Sequence, residues 1–374
     1  MPLLTMRIAT ATAVPYRLPL RFAGPGATTR SVALLCLRTD DGRSGFGECA
    51  PLPAHGSESD DEALRALDAA CRRLPGNAVG ALLDALAGDA AADAAPAARS
   101  ALETALIDLA AQAAGQPLWR WLAGPQRHAG EARRPAVNAL AGDLAPERIE
   151  SLVDAGFEVI KLKLGRAAPD SELAALRRLR PLLPPAVRLR LDANRAWDRR
   201  TAARMCAALA ELPVDMLEEP LALPVAAALP ELAALQRDLP FPLALDEGWG
   251  ELQGAENRRL REDFLAAPPV RRLVLKLAVH GGPLAARAAA HTAATAGIGC
   301  VVTTGIDGAC ATLAAAHLAA ALDDGLAHGL ATSSWLAADL GTPPRIAGGR
   351  LILPDADGLG FVPATPAASF PSRR

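Results

Sequence analysis

Between residues 159 and 279 the chain repeats one arrangement five times: a short apolar run in which alternate positions carry charged side chains. The runs are VIKLKLG (159–165), VRLRLDAN (187–194), VDMLEEP (214–220), PLALDEG (242–248) and LVLKLAV (273–279). At the strand period of two, each divides into an oily row and a charged row. Ile160, Leu162 and Leu164 oppose Lys161 and Lys163, and Leu189 and Leu191 oppose Arg190 and Asp192. Leu217 opposes Met216 and Glu218, Leu243 and Leu245 oppose Ala244 and Asp246, and Leu275 and Leu277 oppose Lys276. With the leucine rows packed on outer helices, Lys161, Lys163, Asp192, Glu218, Asp246 and Lys276 all point inward. The same parity selects Glu218 over Glu219 and Asp246 over Glu247.

The steps from Lys163 to Asp192, Glu218, Asp246 and Lys276 are 29, 26, 28 and 30 residues. One strand, one helix and two short loops take up about that length. Apolar patterning predicts helices near 145–156, 170–182, 198–212, 225–239 and 254–266 between these strands. PAVNALAG (135–142) precedes them as a first strand. A helix at 282–297, a strand GCVVTTGI (299–306), a helix at 307–323 and an eighth strand LAHGLAT (326–332) complete the ring. The expectation is an α/β fold, a TIM-type (β/α)7β barrel spanning 130–340, whose reactive groups sit at the C-terminal strand ends. All six charged residues lie at or near those ends.

The chain has 374 residues, roughly 100 more than a bare barrel needs, so a second domain is expected. Residues 6–18 and 31–38 alternate apolar and polar positions, and TDDGRSG (39–45) turns into GFGECA, which predicts an antiparallel sheet. Helices follow at 60–73, 79–88 and 95–115, making an α+β domain over 1–125. RFAGPGATT (21–29) and PLPAHGSES (51–59) lack periodicity and read as mobile loops able to cover a site. Residues 341–374 carry a strand and turns, read as returning to the N-terminal sheet.

The net charge is −2 with no long basic run, which argues against nucleic acid or an anionic membrane as partner. A small-molecule carboxylate substrate fits better, and a homo-oligomer is compatible with this reading. Six cysteines without a CxxC pair, and a start lacking a signal-peptide pattern, point to reduced thiols in the cytoplasm. The Ala-rich stretch 309–322 is too short to span a membrane. No HxH or HExxH spacing supports zinc. His291 and His317 read as packing residues, whereas His55 stands apart in the loop CAPLPAHGSES.

Three inward carboxylates on adjacent strands repel one another unless a cation lies between them, so Asp192, Glu218 and Asp246 read as a hard-metal site. Mg²⁺ is its natural occupant and Mn²⁺ a substitute. A cation holding a substrate carboxylate makes the neighbouring C–H more acidic. Lys163 and Lys276 flank the metal strands on opposite sides, and one can remove that proton. Lys161 is placed to tune Lys163 and hold the substrate carboxylate. Arg190 reads equally as a buried ion-pair partner and as a substrate contact. Trp197 and Trp249 read as packing or shielding groups.

KLK, LDANRAW, LEEP, LDEG and LKL resemble, in order and spacing, the motifs of the enolase superfamily and specifically its muconate-lactonising subgroup. That resemblance implies Asp192, Glu218 and Asp246 as Mg²⁺ ligands, Lys163 as the base and Lys276 opposite it. It also implies that the N-terminal domain is a capping domain whose loops contribute specificity. Within the subgroup, Arg190 two before Asp192, the stretch VVTTGIDGACATLAAAHLAAAL and GLATSSW are most similar to the o-succinylbenzoate synthases of menaquinone biosynthesis. These are lyases that dehydrate a succinyl-hydroxycyclohexadiene carboxylate through an enediolate. By that resemblance Thr303, Thr304 and Gly305 receive the succinyl arm, and Lys276 stays protonated against the ring. N-succinylamino acid racemases use the two lysines as alternating acid and base. Dipeptide epimerases carry an Asp-x-Asp at the eighth strand, where this chain reads HGLATSSWLAADL.

Overall fold

The computed structural model describes residues 5–24, 27–88, 95–125 and 134–364. Three antiparallel strands open the chain: β1 (Ile8–Gly24), β2 (Ala27–Thr39) and β3 (Ser44–Cys49), in that order. Leu35 and Leu37 of β2 pack on the helices of the same half, while Leu34 and Cys36 join the large core shared with the barrel. Both faces of this sheet are covered, so its central strand is apolar on both parities.

Helices Asp60–Arg73, Val79–Gly88 and Pro96–Ala113 complete this half. Ser59 and Glu62 form a capping box at the first, satisfying orphan backbone donors reciprocally. The carboxylate of Glu58 accepts from the N–H groups of Ala97 and Ala98 at 3.0 and 2.8 Å, which starts the third. That helix lies so close to β3 that a Cβ on Gly47 would sit 1.8 Å from the Ala101 carbonyl oxygen. Glycine at 47 is a packing requirement.

The expected mobile loop 21–29 is a correction, because β1 runs to Gly24, β2 restarts at Ala27 and those two residues are paired. Backbone pairing needs no side-chain periodicity, so a Gly-rich stretch can continue a ladder; the register shift between Pro19 and Gly24 absorbs the irregularity. Residues 25–26 lie outside the described residues. Within 51–59, Pro53–His55 form a single 3₁₀ turn.

The second half is a curled parallel sheet of seven strands: β4 (Ala139–Leu140), β5 (Val159–Lys163), β6 (Arg188–Asp192), β7 (Val214–Glu218), β8 (Leu243–Leu245), β9 (Arg272–Leu275) and β10 (Gly299–Val302). Helices cover its outside, and the leucine rows of β5 to β9 lie in the core against them. Met216, Ala244, Val274 and Val301 form a small separate core within the curl. Those residues share parity with Glu218, Asp246, Lys276 and Thr303, so the charged row faces inward.

The expected eighth strand is reduced to two bridges. Gly329 pairs with Thr303 and His328 with Val137, both parallel. Gly329 N–H donates to Val302 at 2.9 Å and Asn138 N–H to His328 at 2.9 Å, which links β10 to β4 without a ladder. Past Trp335, the hairpin β11 (Arg345–Ala347) and β12 (Arg350–Ile352) meets the start of the first stave through an Arg350–Ala136 bridge. Further on, Phe361 lies edge-on to Phe46 of β3, with ring centres 5.4 Å apart. Among the described residues, no helix is long and apolar enough to cross a membrane.

Gly47→Ala should lower the apparent melting temperature by about 5 °C or more, because added core volume meets backbone that cannot retreat. Thermal unfolding followed by circular dichroism measures this; an unchanged midpoint would mean that the helix can move away from β3.

Candidate active site

Register builds the site. Lys163 of β5 is aligned with Asp192 of β6, and Asp192 with Glu218 of β7. Glu218 is aligned with Ala244 of β8, two residues before Asp246. One layer below, Lys161 is aligned with Arg190 and Arg190 with Met216. Lys161 Nζ lies 2.9 Å from the Asp192 carboxylate and is paired with that of Glu218. Lys163 Nζ is 2.6 Å from Asp192, and Lys276 is paired with Asp246. Contacts thus join Lys161, Lys163, Asp192 and Glu218 in one set, and Lys276 to Asp246 in a second. Each acid touches an ammonium.

Asp192 and Glu218 are each only 1 % exposed, so their charge states are set by neighbours rather than water. Burial alone would raise Asp192, but Lys161 and Lys163 hold it well below the usual carboxylate range. Asp246 is also lowered, against burial, by Lys276 and Lys161. Glu218 goes the other way, to about 7, because burial and the charges of Asp192 and Asp246 outweigh Lys161. Burial acts to lower Lys161, yet Glu218, Asp192 and Asp246 together hold it above the ordinary lysine value. Lys161 is therefore a permanent cation.

The loops after the strands hold these groups in place. Asn194 and Arg195 adopt left-handed φ of 46° and 57°, and the turn brings the Asn194 N–H to 3.0 Å from Asp192 Oδ1. Glu219, also at positive φ (42°), turns away from the acid row. Its Oε1 accepts from the N–H groups of Asp246 and Gly248, both at 2.8 Å, and its Oε2 from Arg195 Nε at 2.9 Å. The second glutamate of LEEP is thus a strut under the Asp246 strand end.

Arg190 is a correction to the substrate-contact reading. Its guanidinium is buried, donating to Asp215 at 2.9 Å, Asn138 at 2.8 Å and the Ala327 carbonyl at 2.8 Å. The planar fork is held by three protein acceptors from separate parts of the chain. Thr303 and Thr304 likewise spend their hydroxyls on the Gly329 carbonyl, at 3.0 and 3.1 Å, and Thr304 shares a further bond of 2.7 Å with Thr332. The Gly305 N–H donates to Asp307 at 3.2 Å, and a Cβ there would strike Leu52. Thr303 and Thr304 thus help to close the ring, and Gly305 seats the capping turn. Trp197 and Trp249 are both buried packing residues. His317 does more than pack, as its Nδ1 accepts from the Trp119 N–H at 3.0 Å and its Nε2 lies 3.1 Å from the Leu359 carbonyl.

Parity misses two neighbours of Lys276. His55 Nδ1 lies 3.2 Å from Lys276 Nζ, 3.5 Å from Glu247 and 3.9 Å from Asp246. Burial, aided by Lys276, lowers His55 to about 4, so its ring is neutral. Burial and Asp246 raise Glu247 to about 7. His55, Asp246 and Glu247 offer ligand atoms within 4.8 Å of one another, but the Lys276 ammonium contacts two of the three. A count also goes unread by parity. Of the 39 lysines and arginines in the chain, only three are lysines: Lys161, Lys163 and Lys276. Arginine cannot give up its proton in a protein, whereas a buried lysine can.

A family model described as "Enolase C-terminal domain-like" matches residues 145–367, and one described as "Mandelate racemase / muconate lactonizing enzyme, N-terminal domain" matches 5–123. The chain belongs to the enolase superfamily, in its muconate-lactonising subgroup. It is 28% identical to muconate cycloisomerase 1 of Rhodococcus opacus, over 93% of this chain and 92% of that one. It is 32% identical to an o-succinylbenzoate synthase of Thermosynechococcus vestitus, over 55% of this chain and 58% of the relative. The muconate lactonizing enzyme structure from Pseudomonas putida superposes with a TM-score of 0.80 at 25% identity, covering 96% of this chain and 97% of that one.

Members of this superfamily are enzymes and bind Mg²⁺. The residues present fit such an ion. The donors are all carboxylate oxygens and come from neighbouring strand ends, the ligand chemistry that a hard divalent cation takes.

Arg190→Met should cost about 3 kcal/mol of stability, because it strands Asp215 and Asn138 without their partner. Urea denaturation monitors this. A variant of wild-type stability with weakened substrate binding would restore Arg190 to the substrate.

Proposed function

We propose that this enolase superfamily member is an o-succinylbenzoate synthase, a lyase that dehydrates 2-succinyl-6-hydroxy-2,4-cyclohexadiene-1-carboxylate to 2-succinylbenzoate in menaquinone biosynthesis. The observation that carries the reading is the meeting of the chain's only three lysines at one row of carboxylates. The similarity to the T. vestitus synthase supports the choice of substrate. Asp192, Glu218 and Asp246 would hold the divalent ion, which when bound stabilises the negative charge that builds on the substrate carboxylate as the α-proton leaves.

The chain's own groups divide the remaining work. Lys161, held protonated by Glu218, Asp192 and Asp246, supplies a fixed positive charge for the substrate carboxylate. Lys163, at the edge of the row and with a third of its side chain exposed (32%), takes the α-proton on Nζ. The C–H electron pair becomes a ring double bond as the C6–O bond breaks. The departing hydroxyl takes the proton back from Lys163 and leaves as water. Lys276, paired with Asp246 on the other side, stays protonated and faces the aromatising ring as a cation–π partner.

A second reading is favoured by one observation: the row ends in a lysine on each side, Lys163 on Asp192 and Lys276 on Asp246. Two amines facing one carbon could exchange its proton from both faces, as an N-succinylamino acid racemase or a dipeptide epimerase requires.

Purified protein with Mg²⁺ and the cyclohexadiene acid should develop the ultraviolet absorbance of the aromatic product. No turnover of that acid, with rapid α-proton exchange of N-succinylamino acids in heavy water, would instead establish the racemase. Lys163→Ala should lower turnover by roughly 10²–10⁴-fold while calorimetry still detects Mg²⁺ binding; activity above about a tenth of wild type would exclude Lys163 as the base. Chelation should abolish turnover and Mn²⁺ should restore it. Because Glu218 stands near 7 in the metal-free protein, Mg²⁺ binding at pH 7 should release protons. Calorimetry in buffers of different ionisation enthalpy tests this, and heats independent of the buffer would contradict the raised value.

A further inference from the structure

We infer that His55, carried by the capping half, is a positioning residue for Lys276, so that one face of the site is completed only by the docked turn Pro53–His55. The inference rests on the proposed chemistry for what Lys276 does, but not for the contact itself.

The turn is held from within and from below. His55 N–H donates to the Leu52 carbonyl at 2.8 Å, the Leu52 N–H donates to Ser57 Oγ at 2.6 Å, and the Ser57 N–H returns to Leu52 at 3.3 Å. Beneath it lies the short helix Glu247–Glu251, which follows β8. Contact between the two is backbone on backbone. A Cβ on Gly250 would sit 2.2 Å from the His55 carbonyl oxygen, and one on Gly56, already at φ +100°, 3.2 Å from Gly250. Leu52 fills the space over Gly305. No side chain can enter between the turn and its seat, which fixes the height of His55 over the barrel.

The imidazole reaches Lys276 Nζ at 3.2 Å through Nδ1. An ammonium has three donors and no acceptor, so Nδ1 must be the unprotonated nitrogen, with the proton on Nε2. Lysine carries about 2 kcal/mol of rotamer entropy, and a single ion pair leaves its tip free to swing. Two acceptors, Asp246 from β8 and His55 from the cap, fix the tip and leave the third N–H for the substrate. The root of the same side chain is also held, since His280 Nδ1 lies 2.9 Å from the Lys276 carbonyl. Among the described residues nothing comparable reaches Lys163, whose Nζ has Asp192 as its hydrogen-bond partner.

Because the chain contains only three lysines, protein grown with lysine labelled with carbon-13 at Cε gives three side-chain signals, all from this site. Single Lys→Arg variants assign them. His55→Leu should shift the Lys276 signal and leave those of Lys161 and Lys163 in place. His55→Asn, whose amide oxygen can stand where Nδ1 stood, should restore most of the shift, and His55→Gln should not. In turnover, His55→Leu should lower kcat about tenfold or more with KM within about twofold, the size expected of a misplaced reacting group. With N-succinylamino acids it should slow exchange only of the enantiomer that Lys276→Ala silences. Equal movement of all three signals, no movement of any, or no advantage of Asn over Gln would overturn the inference. The expected spectra in a protein that turns over none of the acids would leave the contact standing and remove the proposed reactions.

Discussion

Three carboxylates drawn out of water at the mouth of a barrel can persist only if each is met by a positive charge. An uncompensated buried ion costs several kcal/mol, and an isolated one would protonate instead. In this protein the compensation is interleaved: Lys163 on Asp192, Lys161 between Asp192 and Glu218, and Lys276 on Asp246. The parallel register makes that order possible, because it places Lys163, Asp192 and Glu218 at one level on consecutive strands. The left-handed turn at Asn194 and Arg195 and the buried strut of Glu219 exist to hold that level. Burial, with the charges of Asp192 and Asp246, still pushes Glu218 up to about 7.

The choice of basic residue follows from the same constraint. At Arg190 the chain uses a cation that never changes state, and its fork binds three protein acceptors in the layer below. Lysine is kept for three positions, all among the acids. An ammonium is a point charge that can be shared between two carboxylates, as Lys161 is, or give up its proton when its surroundings ask for it. Arginine at 163 would compensate Asp192 equally well and could never act as a base.

What could be read from the chain was whatever repeats. The period of two assigned Lys161, Lys163, Asp192, Glu218, Asp246 and Lys276 to one face, since a strand buried on its leucine side leaves its charged side no other place. What could not be read depends on a single partner far along the chain. His55 meets Lys276 across 221 residues, and no pattern in CAPLPAHGSES names the other side. Arg190 was ambiguous for the same reason, as Asn138, Asp215 and Ala327 come from separate parts of the chain. The eighth stave failed as a strand because Gly329 and His328 need only single bridges to close the ring. The scarcity of lysine was fully visible, but it is a count rather than a period, and a search for periods passes over it.

The capping half is bound to the barrel too firmly to act as a swinging lid. Glu48 of β3, 3 % exposed, accepts from the N–H groups of Gly308 and Ala311 at 2.6 and 3.0 Å, at the start of the barrel helix Ala309–Leu322. Burial, with Asp307 beside it, pushes its carboxyl to about 8. His317 of the same helix is wholly buried between the Trp119 N–H and the Leu359 carbonyl, and burial holds its ring neutral at about 4. Opening this junction would strand a carboxyl, a histidine and several backbone donors in an apolar seam, each costing about 1–3 kcal/mol. Any motion that admits a substrate must then be confined to segments that reach beyond the seam, such as the turn that carries His55. That turn sits on glycines, with no interlocking side chains between it and Gly250. A seat of this kind fixes position sharply when closed and offers little apolar burial to resist opening.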